Sequence, residues 1–282
     1  MNRMLISAAH KSSGKTLVSI GVCAALHAHG HVVQPFKKGP DYIDPMWLSQ
    51  AAGRPCRNLD LYLMDDDDVV ATFARHAAEV SLVEGNKGLY DGLSLDGSNS
   101  NAAVAKLLDL PVFLVIDARG MTRGIAPLIL GYQAFDKDIR IAGVILNKLG
   151  GSRHEAKLRQ VIEHYTEVPV VGAIQYDEHL GIIERHLGLM PSNELIAAAA
   201  KIKQIGDAIS GQVDLDRLLA LSRKPPPAPA EIAEIRPLPV GERPRIGIAR
   251  DRAFGFYYAD DLDALEAAGA TLVPFNTLAD AH

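Results

Sequence analysis

Cysteine is nearly absent: Cys23 and Cys56 are the only two in 282 residues. Two thiols cannot make a disulfide framework, and their scarcity suits a reducing cytoplasm, the compartment expected here. Aromatic residues make up 6%, with one tryptophan. Surplus positive charge is missing too. Lys and Arg number 29 against 34 Asp and Glu, a formal net charge of −5, so no basic field draws the chain to nucleic acid or to a membrane. No apolar run reaches the roughly 18–20 residues that span a bilayer. The start, Met1-Asn2-Arg3-Met4-Leu5, enters an apolar segment with no signal-peptide layout. What is present is 48% hydrophobic and 22% charged residues, the composition of a chain that buries a full core. Its length fits one large domain and a remainder.

Short apolar runs alternate with segments of helical period. The runs at 4–8, 32–36, 80–83, 112–116, 141–146 and 170–174 read as buried parallel strands. Residues 15–29, 99–108, 122–135 and 152–165 read as helices, the first ending at Gly30. Strand–helix repetition implies right-handed crossovers and an α/β fold: a parallel sheet with helices on both faces. The run Lys224-Pro225-Pro226-Pro227-Ala228-Pro229, with Pro237, Pro239 and Pro244 beyond it, reads as an extended linker. The expected division is a domain at 1–222, a proline-rich linker at 223–243 and a last piece at 244–282. That piece holds a strand at 245–249, a helix at 260–268 and a strand at 271–275, too little to enclose a core.

Four segments carry chemistry. The first, Ser7-Ala8-Ala9-His10-Lys11-Ser12-Ser13-Gly14-Lys15-Thr16, joins strand to helix as a phosphate-binding loop does. Such a loop needs inward backbone amides, a helix N-terminus, a lysine for the β/γ-phosphates and a hydroxyl for Mg²⁺. Ser12, Ser13, Gly14, Lys15 and Thr16 supply them, although Ala9 stands where the motif has its first glycine. His10 stands where one class of dimer-switching ATPases has a second lysine, which disfavours that class. The second segment is Phe36-Lys37-Lys38-Gly39-Pro40-Asp41-Tyr42-Ile43-Asp44-Pro45. It reads as a stiff charged loop at the carboxyl end of a strand, where open α/β sheets bind ligands, with Asp41 in reach of Mg²⁺. The third runs from Val83-Glu84-Gly85 to Gly88-Leu89-Tyr90-Asp91-Gly92; Glu84 is a metal candidate and Asp91 faces substrate. The fourth, Val144-Ile145-Leu146-Asn147-Lys148, places an asparagine amide where an adenine edge can pair with it. The plainer alternatives are a capped turn, a solvated loop, a glycine-rich turn and a strand end.

Other features read as structural. Asp65 to Asp68 cap and charge a helix start, and His27, His29 and His31 surround a helix end. Cys23 packs within a helix; Cys56 lies between Arg54 and Arg57, which would lower its pKa, but has no base partner.

Taken together, these segments resemble the cobyrinic acid a,c-diamide synthase family. The matching motifs are Ser13-Gly14-Lys15-Thr16, Gln34-Pro35-Phe36-Lys37, Gly39-Pro40-Asp41-Tyr42-Ile43-Asp44-Pro45, Gly53-Arg54-Pro55 with Arg57-Asn58-Leu59-Asp60, Gly88-Leu89-Tyr90-Asp91-Gly92 and Glu184-Arg185-His186-Leu187-Gly188-Leu189. The tail Ile248-Ala249-Arg250-Asp251, with Phe254, Phe256, Tyr257 and Tyr258, resembles the opening of that family's glutamine amidotransferase domain. The resemblance implies a dethiobiotin-synthetase-like P-loop NTPase domain followed by the start of a class I glutamine amidotransferase-like α/β domain. It implies MgATP-dependent phosphorylation of the a and c acetates of a tetrapyrrole, either cobyrinic acid or a sirohydrochlorin- or sirohaem-type ring. Ammonia, normally from glutamine, then displaces phosphate. Lys15 would meet the phosphates, Thr16 and Glu84 the Mg²⁺, and Asp41 the metal or the phosphoryl group in transfer. Asp44 and Asp91 would lie at substrate or intermediate, and Asn147 at adenine. Lys37, Lys38, Tyr42, Arg57 and Tyr90 would hold substrate. Neither cysteine falls in the amidotransferase part, so ammonia would come from free solution, a separate glutaminase chain or the rest of a longer protein. A homodimer fits the class. A dethiobiotin-type ligase and a P-loop regulatory or scaffolding ATPase remain as alternatives.

Overall fold

In the computed structural model, which describes residues 1–185, 188–227 and 243–280, the first strand already explains the architecture. In β1 (Asn2–Ala8), Met4, Ile6 and Ala8 point into one core while Leu5 points into another. A strand buried on both faces has no need of polar alternation, which is why it reads as a continuous apolar run. The chain continues α1 (Lys15–Ala28), β2 (Val33–Lys38), α2 (Ile43–Ala52), β3 (Arg57–Leu59), α3 (Asp66–His76), β4 (Val80–Glu84), α4 (Asn101–Leu107), β5 (Val112–Asp117), α5 (Ile125–Phe135), β6 (Ile141–Leu149), α6 (Ser152–Tyr165) and β7 (Val170–Gln175). The seven strands are parallel in the order β3-β2-β4-β1-β5-β6-β7. A short antiparallel pair, β8 (Glu184–Arg185) and β9 (Gly188–Leu189), precedes α7 (Ala198–Ser210) and α8 (Leu215–Ser222).

Helices α1, α2 and α7 cover one face over Ile20, Trp47, Leu48 and Ile205. The other face is covered through Phe73, Val104, Ile129 and Leu158. Connections from β1 run to β2 on one side, and those from β4 run to β5 on the other. The switch leaves a crevice at the carboxyl ends of β1, β2 and β4, where ligands bind in open α/β sheets. After α8, Arg223 bridges Asn2 and Lys224 bonds Met1, returning the chain to the first strand.

The expected strands and helices are present, most with shifted ends. Helix α4 begins at Asn101 because Ser100 caps it, its Oγ accepting from Ala103 N at 3.1 Å. Asp65 does precede α3, but its side chain makes no capping bond, so the acidic first turn acts only through charge. One larger correction concerns 43–45, expected as loop. Here α2 begins at Ile43, with Pro45 in its first turn, where an amide hydrogen has no partner to lose.

In the last described stretch, β10 (Arg245–Ala249) and β11 (Thr271–Phe275) pair in parallel around α9 (Ala259–Ala267), and α9 buries no residue. Most of the proline-rich linker (228–242), the pair His186-Leu187 of one motif, and the last residues 281–282 lie outside the described residues.

Candidate active site

The phosphate loop is held from beneath. Gly14 takes a left-handed φ of 91° just before α1, and a side chain there would collide with the Asn147 amide. Asn147 Nδ2 donates to Ser13 O at 2.8 Å, Lys148 Nζ to Ser12 O at 2.8 Å, and the Tyr132 hydroxyl to Ala9 O. Ser13 Oγ closes the loop on His10 O at 2.8 Å.

Lys15 and Thr16, the first two residues of α1, face strand ends carrying acids. Parallel pairing sets Lys37 of β2 opposite Glu84 of β4, and Glu84 opposite Ile6 of β1. Three carboxylates therefore converge on one ammonium: Lys37 Nζ lies 2.5 Å from Asp44, 3.4 Å from Glu84 and 3.7 Å from Asp41. Thr16 Oγ1 donates to Glu84 Oε1 at 2.6 Å and to Asp44 Oδ2 at 3.3 Å. Asp41 has a second task. Its Oδ1 accepts from the amides of Ile43 (2.9 Å) and Asp44 (3.1 Å), so it starts α2 and thereby places Asp44.

Burial sets the protonation of this cluster. It opposes the charge on Lys37, but Glu84, Asp44 and Asp41 outweigh it and keep the ammonium protonated. Burial opposes the Asp44 carboxylate as well; there Lys37, Lys15 and the Thr16 hydroxyl win and hold it below the usual range. Glu84, fully buried, is pushed up to about 7 chiefly by desolvation, with Lys37 opposing and Asp44 adding to the rise. Asp41 is raised by burial and by Asp44. Lys15 is lowered by burial, with Glu84 opposing. Glu84 Oε2 is buried without a hydrogen-bond partner. An orphaned carboxylate oxygen beside a hydroxyl and two more carboxylates is a hard-oxygen donor set, and it fits Mg²⁺.

Beside the cluster lies a cavity of about 390 Å³ whose lining includes Lys38, Pro40, Asp41, Tyr42, Asn86 and Phe256. A second cavity of about 170 Å³ shares Lys38, Pro40 and Asn86 with it and is bounded by Lys87, Asp91 and Leu93. Lys38 is buried, its pKa lowered by desolvation against the pull of Asp60, and among the described residues it makes no ion pair. Asp91 accepts from Gly88 N at 2.9 Å at the rim.

Five expectations are corrected. Lys37, expected at substrate, is the counter-ion of the carboxylates. Arg57 is expected at a substrate carboxylate, yet Nη1 pairs with Asp260 at 2.9 Å and Asp263 at 2.6 Å, both from α9. Tyr90 lines neither cavity: its ring packs on Tyr132 and Phe135, its hydroxyl donates to Tyr132 O, and burial lifts it to about 12. The Cys56 thiol is raised, not lowered, because burial, with Cys23, Glu84 and Asp41 adding, outweighs the opposing pull of Lys37; Cys23 is raised chiefly by burial as well. Asn147, expected at adenine, commits its polar atoms elsewhere, Nδ2 to Ser13 O and Oδ1 to its neighbour Lys148 N. Sequence reasoning passed over Asn101, the buried residue that shapes the third segment. Its Oδ1 accepts from Asn86 N at 3.0 Å, and its Nδ2 donates to Gly88 O at 2.8 Å and Ser7 Oγ at 3.1 Å. An asparagine at a helix start was the available signal.

Comparison with known proteins finds relatives over nearly the whole chain. The chain is 48% identical to a cobyrinate a,c-diamide synthase of Magnetococcus marinus, covering 98% of this chain and 61% of that protein. Identity is 45% to the enzyme of the same name from Methanosarcina acetivorans (99% and 59%) and 41% to that of Listeria monocytogenes (99% and 62%). These relatives bear out the resemblance read from the motifs. The chain spans about three fifths of the length of the curated relatives it matches. Among solved structures, the cell division protein FtsY of Thermotoga maritima superposes with a TM-score of 0.45 at 14% identity, covering 73% of this chain and 68% of that one. The family model described as an AAA domain matches residues 2–183, which hold the parallel sheet, the phosphate loop and all three clustered carboxylates. By that match, the chain belongs to the AAA domain family.

Proposed function

We propose that this chain carries the amide-forming site of a cobyrinate a,c-diamide synthase. ATP phosphorylates the a and c acetate carboxylates of the tetrapyrrole, and ammonia displaces the phosphate to leave an amide. The observation that carries the reading is the group of Asp41, Asp44 and Glu84 around Lys37, set between the phosphate loop and a cavity lined by Lys38, a cation with no ion pair among the described residues. A scaffolding ATPase needs no such acceptor pocket.

Transfer between a carboxylate and a polyphosphate brings anions together, so the site must offset charge and align the groups. Thr16, Glu84, Asp44 and Asp41 would hold Mg²⁺, which when bound neutralises phosphate charge. Lys15 meets the phosphates from the first turn of α1. Lys37 keeps Asp44 ionised, opposes the rise in the pKa of Asp41, and holds both in place while the phosphates arrive. Lys38 draws an acceptor carboxylate into the cavity, and Asp91 faces it from the second cavity. Glutamine is the proposed origin of the ammonia. Both cysteines in residues 1–282 are buried with raised thiols, so the glutaminase nucleophile is neither of them. The cytoplasm, where ATP is supplied and thiols stay reduced, is the proposed compartment of the reaction. Among the described residues, no helix is long and apolar enough to cross a membrane.

The test is ADP release measured with and without ring and ammonium. With cobyrinic acid, sirohydrochlorin and sirohaem each supplied in turn, release should depend on one of the rings. Hydrolysis at the same rate with no ring present would refute an acceptor site.

A further inference from the structure

The cavity beside the carboxylates is not built by residues 1–222 alone. Phe256, from the loop between β10 and α9, forms part of its wall. We propose that Phe256 is an acceptor-binding residue: the tetrapyrrole lays one face against its ring while Lys38 takes a carboxylate. This rests on the amide-forming reading above and names the partner surface that the ring uses.

The loop is constructed to present that side chain. Asp251 Oδ1 accepts from the amides of Ala253 (2.7 Å) and Phe254 (2.9 Å), and Oδ2 from Thr277 N (2.6 Å) and Oγ1 (2.7 Å). The Tyr257 hydroxyl donates back to Ala249 O at 2.8 Å. Contacts with the larger unit then fix the loop against the cavity. Asn193 Nδ2 donates to Asp251 O at 2.8 Å, and Gly255 presses so closely on Met46 and Asn193 that a side chain would collide. Arg57 holds Asp260 and Asp263 at the start of α9. The Tyr42 ring stacks on Phe256 at 5.7 Å and 12°, and on Tyr258 at 4.2 Å and 20°. Even so, Phe256 stays 45% exposed.

An aromatic ring held this firmly, stacked on another and still open, offers a flat apolar face. With a buried cation close by, the combination suits a planar ring bearing peripheral carboxylates; a nucleotide is accounted for by the phosphate loop. Phe254, two residues earlier and 50% exposed, is absent from the cavity wall and provides an internal comparison.

The experiment is an absorbance titration of the protein with cobyrinic acid, with sirohydrochlorin as a second probe, followed by steady-state kinetics with ammonium as donor. Phe256→Ala should weaken ring binding and raise KM for the ring by about tenfold, the effect of losing one aromatic contact. KM for MgATP should not change, Phe256→Trp should restore ring binding, and Phe254→Ala should behave as wild type. Unchanged ring affinity in Phe256→Ala, with wild-type turnover intact, overturns this proposal and leaves the amide-forming reading in place. Equal losses in Phe254→Ala and Phe256→Ala also overturn it, because the loop fold rather than the ring face would then be responsible. Wild-type protein that binds neither ring overturns both readings together.

Discussion

Residues 1–222 put charge inside and surround it with two hydrophobic cores, whereas residues 245–280 bury no residue fully and hold on at a few points. In the larger unit, Lys37 is 2% exposed and Glu84 fully buried, each made tolerable by the other and by Asp44. In the smaller one, α9 buries no side chain, and its grip on the rest runs through Arg57, Asn193, Met46 and the Tyr42 stack. The contrast separates two jobs. Burial gives the first region a rigid, strongly perturbed charge cluster; surface anchoring lets the second complete a cavity without a core of its own.

The largest effect should come from removing the buried cation. Lys37→Met leaves three acids without their counter-ion, and stability should fall by about 3–5 kcal/mol in chemical denaturation. Amide formation should vanish with it. If that variant were as stable as wild type, the central charge balance would be misassigned.

Next in size is Asp41→Asn. An asparagine still caps a helix, so α2 should form and the melting temperature should hardly move. Turnover should nevertheless drop by at least about a hundredfold, the scale for losing a charged group that acts in the transition state. Unchanged turnover would take Asp41 out of the reaction.

A smaller effect concerns pH. Glu84 has its pKa raised from 4.5 to about 7 in the folded chain, so its contribution is fully present below about 4.5 and is lost as pH rises through 7. In Glu84→Gln that loss is absent, and the stability profile should flatten across this window in denaturation at successive pH values. A profile as steep as wild type would place the titrating group elsewhere.

The smallest effect on stability, and the sharpest on the comparison, is expected from Arg57→Ala. Asp260 and Asp263 are partly exposed and lose little when their partner goes, so global stability should fall by no more than about 1 kcal/mol. Hydrogen exchange in residues 245–280 should rise while that of the sheet stays protected. Equal protection in both regions would mean the ion pairs do not secure the segment.

What could be read in advance follows the same division. The phosphate loop, the strand carrying Glu84 and the alternation of elements were legible because local chemistry determines them: Gly14-Lys15-Thr16 at a strand–helix junction, and apolar runs buried on both faces. The start of α2 was not legible, since Pro45 marks a loop unless it falls in a first turn. Lys37 was recognised as functional but given the wrong partner, because register, not sequence distance, sets it opposite Glu84. Arg57 and Phe256 belong to contacts that span about two hundred residues, and no local pattern announces them. The expected low pKa of Cys56 failed because the thiol is completely buried, and burial raises it whatever residues neighbour it in sequence.

The most direct test of the central claim is mass spectrometry of cobyrinic acid after incubation with the protein, MgATP and ammonium. The account predicts one or two carboxyl-to-amide mass decrements, present with wild type and absent with Asp41→Asn. An unmodified ring, recovered while ATP is consumed at the same rate without it, would contradict the account.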